Sequence, residues 1–240
     1  MRPSSAAAPD CMSRRFDPAV PELMDRPQPV SRELEIDLHN LQQLNRWFGS
    51  HALVRHFLRR WIKRGDRLRI LDLATGSGDI PRLITRHARE NGAKIRITAL
   101  DQQAATLEIA RRLSANYPEI EFVQANVLTF RTPEPFDAVL CSLALHHFGD
   151  DDAVRLLRRA RELSHRFVLV ADLRRGLLAT VGVYLLTAII FREPMTKVDG
   201  RLSAQRAFSF REMRELVERA GWRNFGHRRF RFARQAIWLE

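Results

Sequence analysis

The sequence predicts an α/β fold: a seven-stranded, mostly parallel sheet with an antiparallel C-terminal hairpin strand and helices on both faces. Three observations predict it. Short apolar runs alternate with helix-periodic segments through the middle of the chain, the order that builds a parallel sheet covered by crossover helices. The first of these runs leads into Asp72-Leu73-Ala74-Thr75-Gly76-Ser77-Gly78-Asp79, an acidic strand end, a tight glycine turn and a helix start. A strand that hands over in this way brings its backbone close to a phosphate or nucleoside, because Gly76 and Gly78 carry no Cβ. Finally, the chain ends in two extended runs, 224–230 and 235–239, spaced as a hairpin. A nicotinamide-type dinucleotide fold would instead continue into a second βαβαβ half.

The elements follow in order. Residues 1–29 are proline-rich and without periodicity, which predicts a flexible arm, ordered by packing near Pro21 to Met24. From Ser31 to Phe48 the residues Leu34, Leu38, Leu41, Leu44 and Phe48 form one helical stripe. Gly49-Ser50 breaks it, and a second helix is predicted over 51–63. These two helices, within 30–66, are expected to cover the site. The main domain is expected over 67–240, with strands at 68–73, 95–100, 120–124, 138–142 and 167–171, and helices at 79–90, 103–116 and 151–163. A lid insertion spans about 173–207. Its first part, Gly176 to Phe191, is uncharged for 16 residues, short of the ~20 a spanning helix needs, so it reads as a buried or interfacial helix. The rest, to Ala207, reads as a polar loop. Ser209 with Glu212 three residues on is a capping-box signature for a helix over 210–220, which Gly221 closes.

Composition narrows the classes. With 240 residues and 45% hydrophobic content the chain suits one domain with an elaboration. Cys11 lies in a polar tail and Cys141 in an apolar run, so no disulfide is expected and a reducing, cytoplasmic setting fits. No signal peptide is visible. The net charge of +12 raises nucleic acid or an anionic membrane surface as partners. The arginines, however, are interleaved with apolar residues at helical or strand spacing, as on solvated faces.

The residues around the glycine turn, read with those at the following strand ends, resemble class I S-adenosylmethionine-dependent methyltransferases of the small-molecule, quinone-biosynthesis type. Leu71-Asp72-Leu73-Ala74-Thr75-Gly76-Ser77-Gly78-Asp79 resembles the family's first motif, with Ala74 where a glycine is usual. Asp101, closing the second strand, matches its ribose-binding acid. Gln124-Ala125-Asn126-Val127 stands where the family holds the adenine. Phe136 to Phe148 resembles its fourth-strand motif. The resemblance is close over about 68–172 and implies a Rossmann-like sheet and S-adenosyl-L-methionine as cofactor. Pro81, at the third-glycine position of the dinucleotide fingerprint, counts against a nicotinamide oxidoreductase.

The resemblance implies cofactor contacts from Asp72, Ala74, Thr75, Gly76, Gly78, Asp101, Gln102, Asn126, Val127, Ser142 and Leu143. Asp72 either orients the loop near the methionine amine or binds the glycine-turn amides. Arg46 is a candidate clamp for the cofactor carboxylate, or a surface arginine. His146 and His147, just past the fourth strand, are the candidate catalytic bases for a hydroxyl, with His147 also a substrate contact. Arg206 is a candidate substrate contact too, or the partner of Asp199. Adjacent histidines are expected to diverge, so no metal site is expected. Leu140 ahead of Cys141 argues against pyrimidine chemistry through that thiol. Ser142-Leu143-Ala144-Leu145 lacks the prolines and aromatic of base-amine methylation. The expected substrate is a lipophilic aromatic small molecule (a phenol, quinone or polyketide) methylated on oxygen or activated carbon. Peripheral membrane contact goes with it. An RNA-directed methyltransferase using the basic surface is the alternative.

Overall fold

The computed structural model describes residues 13–176 and 193–240; most of the apolar segment 176–191 lies outside them. In chain order, α1 (Arg32–Trp47) and α2 (Ser50–Trp61) precede β1 (Arg67–Leu73), α3 (Asp79–Glu90), β2 (Lys94–Asp101), α4 (Ala104–Leu113), β3 (Ile120–Gln124), β4 (Phe136–Ser142), α5 (Asp150–Glu162) and β5 (Ser164–Leu173). From residue 193 on come α6 (Pro194–Arg206), α7 (Phe210–Arg219) and the hairpin β6 (Gly226–Phe230) and β7 (Arg234–Leu239). The strands lie in the order β3-β2-β1-β4-β5-β7-β6. Six point the same way and β7 alone runs against them, as the terminal hairpin predicts.

Alternation along the strands splits the core between the two faces. Leu71, Leu73, Val139, Val168 and Val170 pack with Leu156 and Leu157 of α5 and with Met213, Leu216 and Val217 of α7. Their neighbours Ile70, Ile97, Leu140 and Leu169 face the other way, onto Phe57, Leu58 and Trp61 of α2 and Leu83 and Ile84 of α3. Burying each such side chain contributes about 1.5–3 kcal/mol, so the five parallel strands form the rigid frame. Their carboxyl ends all open on one side of the sheet, which is where loops gather into a site. The capping box at α7 is present: Ser209 Oγ accepts from the Glu212 amide and Glu212 returns a bond to the Ser209 amide.

Two expectations need correction. The polar loop before Ala207 is the helix α6. It presents no apolar stripe, so periodicity misses it; Pro194 at its first turn and buried polar contacts hold it instead. Thr196 donates to Asp37 of α1 at 2.7 Å, and the Asp199 carboxylate accepts from the amides of Leu23 and Met24 at 2.7 and 3.0 Å. The second concerns the arm. Its described part, 13–29, is not loose but packed across the strand ends. Arg14 anchors it, donating to the carbonyls of Phe148 (2.6 Å), His146 (3.2 Å) and Arg206 (2.6 Å) and pairing with Asp150 at 2.9 Å. Side chains bonding to distant backbone leave no period in a sequence.

Candidate active site

Asp72 ends β1 with its side chain buried, and its Oδ2 accepts from the Thr75 hydroxyl at 2.6 Å. Burial pushes this carboxyl up to about 7; the Thr75 bond opposes the rise and the nearby charges of Asp79 and Asp101 add to it. The turn that follows is left-handed at Ala74 (φ 54°), Gly76 (φ 55°) and Gly78 (φ 74°). Ala74 therefore occupies a conformation glycine adopts at least cost. At Gly78 a Cβ would also meet the Phe122 ring at 3.0 Å. At Gly76 a Cβ would point into open space, so the backbone itself lines the hollow.

One strand over, Asp101 grips the turn. Its Oδ2 accepts from the Gly76 amide at 2.9 Å and its Oδ1 from the Gln103 amide at 3.0 Å. Burial pushes the Asp101 carboxyl up, against the pull of those backbone bonds. Helices α1 and α2 hold the turn from above. Gln42 donates to Ser77 Oγ at 3.0 Å, while Asn45 and His51 both reach Asp79 Oδ2, at 3.1 and 2.8 Å.

The second half of the site starts at the end of β4. Ser142 and Leu143 lead into a tight turn, Leu145–His147. Leu143 is again left-handed (φ 56°) and its amide donates to Ala171 on β5 at 2.8 Å. Asp172, at the end of β5, accepts from the His146 amide at 2.9 Å and pairs with His146 Nδ1 at 2.6 Å. His147 Nδ1 pairs with Asp25 of the arm at 2.6 Å. The two imidazoles do not diverge as expected; their ring centres are 4.4 Å apart and tilted by 41°, because the tight turn brings both toward the arm. Glu22 closes the group from the arm, 2% exposed, and accepts from the Ser203 hydroxyl of α6 at 3.0 and 3.1 Å. Burial works against a charge on His147, but the Glu22 charge and the Asp25 pairing outweigh it and push its pKa to about 10.

One cavity of about 1310 Å³ joins the two halves. Among the expected residues, Asp72, Ala74, Thr75, Gly76, Asp101, Gln102, Asn126, Val127, Ser142, Leu143, His146, His147 and Arg206 line it. Gly78 sits behind the turn as the N-cap of α3. Arg46 is the exception: it is exposed and does not line the cavity. One residue is about 100° around a helix, so Asn45 faces the site and Arg46 does not. Arg206 does not pair with Asp199 either. Its guanidinium donates to the carbonyls of Asp17 and Val20 and lies 3.9 Å from Glu22. Sequence reading missed Glu22 and Asp25, which share the arm with Asp17 and with Arg14, Arg15 and Arg26; nothing in that mixture of charges singles them out. The apolar walls come from Leu38, Leu41, Leu44 and Phe48 of the first helix and from Phe232 at the hairpin tip.

Residues 70–165 match the family model described as a methyltransferase domain. A 2-phytyl-1,4-naphtoquinone methyltransferase of Thermosynechococcus vestitus is 33% identical over 104 residues, covering 43% of this chain and 45% of the relative. A demethylmenaquinone methyltransferase of Thermotoga maritima is 35% identical over 116 residues, covering 45% and 46%. The matches thus span under half the length of these relatives. Among solved structures, the plantazolicin methyltransferase BpumL in complex with SAH superposes with a TM-score of 0.66 at 12% identity, over 87% of this chain and 89% of that one. Human N-acetylserotonin methyltransferase in complex with SAM gives 0.60 at 17% identity, over 86% and 55%. At such identities the likeness is one of fold. The matched stretch holds the glycine turn, Asp101, Asn126 and both histidines. Glu22, Asp25, Asp172 and Arg206, which surround the histidines, lie outside it.

Proposed function

We propose that the protein is an S-adenosylmethionine-dependent methyltransferase acting on oxygen or activated carbon of a lipophilic aromatic small molecule such as a phenol, quinone or polyketide. The observation that carries this reading is the pairing of Asp101 with the Gly76 amide across one cavity from His146 and His147. A buried carboxylate at that strand end suits the two hydroxyls of a ribose, because an ionised carboxylate accepts two hydrogen bonds in one plane. The Gly76 backbone lines the hollow, with no atom within 4 Å of where a Cβ would stand, so the chain's shape leaves room for a nucleoside there. Ser142 Oγ, buried and without a hydrogen-bond partner among the described residues, awaits a polar neighbour between the two halves. In this reading Asp72, Ala74 and Thr75 meet the methionine part, Gln102, Asn126 and Val127 the adenine, and Ser142 and Leu143 the region near the sulfur.

When bound, S-adenosylmethionine supplies a methyl group already activated on a sulfonium. The chain's task is then alignment, exclusion of water and handling of the acceptor's proton. His146 and His147 are the groups at the acceptor end, each held by a carboxylate; His147, pushed to about 10, meets the acceptor's oxygen as a proton donor, and the role of base falls to His146. Arg206 borders the same space as a substrate contact. The leucine-rich wall of the first helix fits an aromatic body with a lipophilic tail, and the quinones in the relatives' names support that class. The helices within 30–66 and α6, from the described part of the expected lid, would cover it. A cytoplasmic protein touching a membrane surface to collect such substrates completes the reading. No helix of the described residues is long and apolar enough to cross a membrane.

Calorimetric titration with S-adenosylmethionine, S-adenosylhomocysteine and NAD tests this directly. The first two should bind, and Asp101→Ala should weaken them about 10- to 100-fold, the loss of hydrogen bonds to a charged acceptor at ~1.5–3 kcal/mol. Binding of NAD alone would overturn the reading. Transfer of a methyl group to a panel of phenols and quinols, followed by mass spectrometry, then identifies the acceptor class.

A further inference from the structure

We propose that Glu22, His146 and His147 form a site for one divalent first-row metal ion of the zinc class, with an open coordination position facing the acceptor end of the cavity. What the ion would do there rests on the methyltransferase reading; its binding does not. The ligating atoms of the three side chains lie within 4.8 Å of one another. His146 Nε2 is 4.0 Å from Glu22 Oε1 and His147 Nε2 is 3.8 Å from Glu22 Oε2. These separations are too long for hydrogen bonds, so the atoms converge on a common point without satisfying one another. Metal–ligand bonds of about 2.0–2.2 Å place tetrahedral ligands roughly 3.3 Å apart, which small side-chain adjustments would reach.

The surroundings favour an ion over three isolated groups. Each imidazole engages a carboxylate through Nδ1: His146 with Asp172 and His147 with Asp25, both at 2.6 Å. With Nδ1 of each ring on a carboxylate, Nε2 of each faces Glu22, the outer-shell arrangement that orients histidine ligands of metals; an ion taken up there displaces any proton on Nε2. Ser203 fixes the Glu22 carboxylate from the far side. Arg206, 3.9 Å from Glu22, and Arg14, bonded to the His146 carbonyl at 3.2 Å, face the cluster, against the carboxylates of Glu22, Asp25 and Asp172. Two imidazoles and one carboxylate leave a position for an exogenous oxygen. All three residues line the cavity, so an acceptor hydroxyl or quinone carbonyl would take that position.

The test uses the untagged full chain, dialysed against a chelator and titrated with Co²⁺ while visible absorption is followed, then with Zn²⁺ in competition. One equivalent of Co²⁺ should bind with ligand-field bands of a nitrogen–oxygen site, and Zn²⁺ should displace it. Glu22→Gln should weaken binding at least about 100-fold, and the milder Asp25→Asn about 10- to 100-fold, as expected for an outer-shell partner. S-adenosylmethionine affinity in the same samples reports separately on the cofactor half. If Co²⁺ neither binds at one equivalent nor gives ligand-field bands, the metal proposal falls whatever the cofactor affinity, whereas lost cofactor affinity alone counts against the methyltransferase reading only. Cobalt binding undiminished in both variants would overturn it equally.

Discussion

The two ends of the cavity are built by different means. The glycine-turn end is made by consecutive backbone: Asp72 to Asp79 and the end of the adjacent strand, with Asp101 bonded to the turn's own amide. The histidine end is made by side chains from remote segments: Glu22 and Asp25 of the arm, His146 and His147 after β4, Asp172 of β5, and Ser203 and Arg206 of α6. The first end lies within the stretch that matches the methyltransferase family model, while the second draws most of its partners from outside it. Under the proposed function, a shared cofactor grip beside a separately assembled acceptor end suits a fold that carries many substrates.

The largest expected effect breaks the glycine-turn end. Gly78→Val places a branched side chain at φ 74° and against the Phe122 ring. Left-handed strain of ~1–2 kcal/mol adds to overpacking of ~1–3 kcal/mol. A loss of about 4 kcal/mol should lower the melting midpoint by roughly 8–16 °C in a chain of this size, read by calorimetry. A midpoint within 2 °C of wild type, about the shift of a half-kcal surface change, would mean the turn is not held against Phe122.

Asp72 sharpens the comparison through pH. Its carboxyl is raised from 3.8 to about 7 by burial, so the folded state keeps a proton that the unfolded chain releases. Stability is therefore full below about pH 4, falls as pH rises through the window to about 7, and stays reduced above it. At ~1.4 kcal/mol per pH unit the contribution lost between pH 5 and 7 is on the order of 2–3 kcal/mol. Asp72→Asn lacks this titration, so its stability relative to wild type should rise across that window in urea unfolding. Parallel profiles for the two proteins would place the raised carboxyl elsewhere.

The same contrast decides what could be read from the sequence. The five parallel strands, the glycine turn, the acid at Asp101 and the capping box at Ser209 are local: a period of two, a strand end, a residue three positions on. Strand β3 and helix α3 fall on the expected residues, 120–124 and 79–90. Helix α6 was illegible because polar contacts to Asp37 and the arm, not an apolar stripe, hold it. Glu22 and Asp25 were illegible because an arm without periodicity shows no sign of where it docks. Arg46 was misplaced for the opposite reason: it has the right chemistry for a clamp, but one residue's rotation on α1 separates it from Asn45 at the site.

Arg14 tests whether the two ends are separable. Its guanidinium carries three carbonyl bonds and an ion pair and lies 3.8 Å over the Phe208 ring. Net of rehydration, Arg14→Ala should cost about 2 kcal/mol and lower the midpoint by roughly 4–8 °C. Limited proteolysis should then cut the arm faster, and the histidine end should lose its Glu22 and Asp25. Affinity for S-adenosylmethionine should change less than about twofold, ~0.4 kcal/mol, because no contact of Arg14 reaches the glycine turn. A parallel loss of cofactor affinity would show that the arm holds both ends.

The smallest expected effect belongs to Arg46. A carboxylate clamp would make Arg46→Ala as costly for S-adenosylmethionine as Asp101→Ala, at least tenfold, since bidentate charged bonds are among the strongest available. The exposed position of the side chain, turned from the cavity, gives it instead the value of an ordinary surface substitution, within about 0.5 kcal/mol, or a change of around twofold. Asn45→Ala is the internal control. It removes the bond to Asp79 Oδ2 at the start of α3 and should weaken the cofactor several-fold by loosening the turn. If calorimetry ranks the two the other way, α1 is rotated in the bound state, and the first helix would then belong to the moving cover of the site and not to its frame.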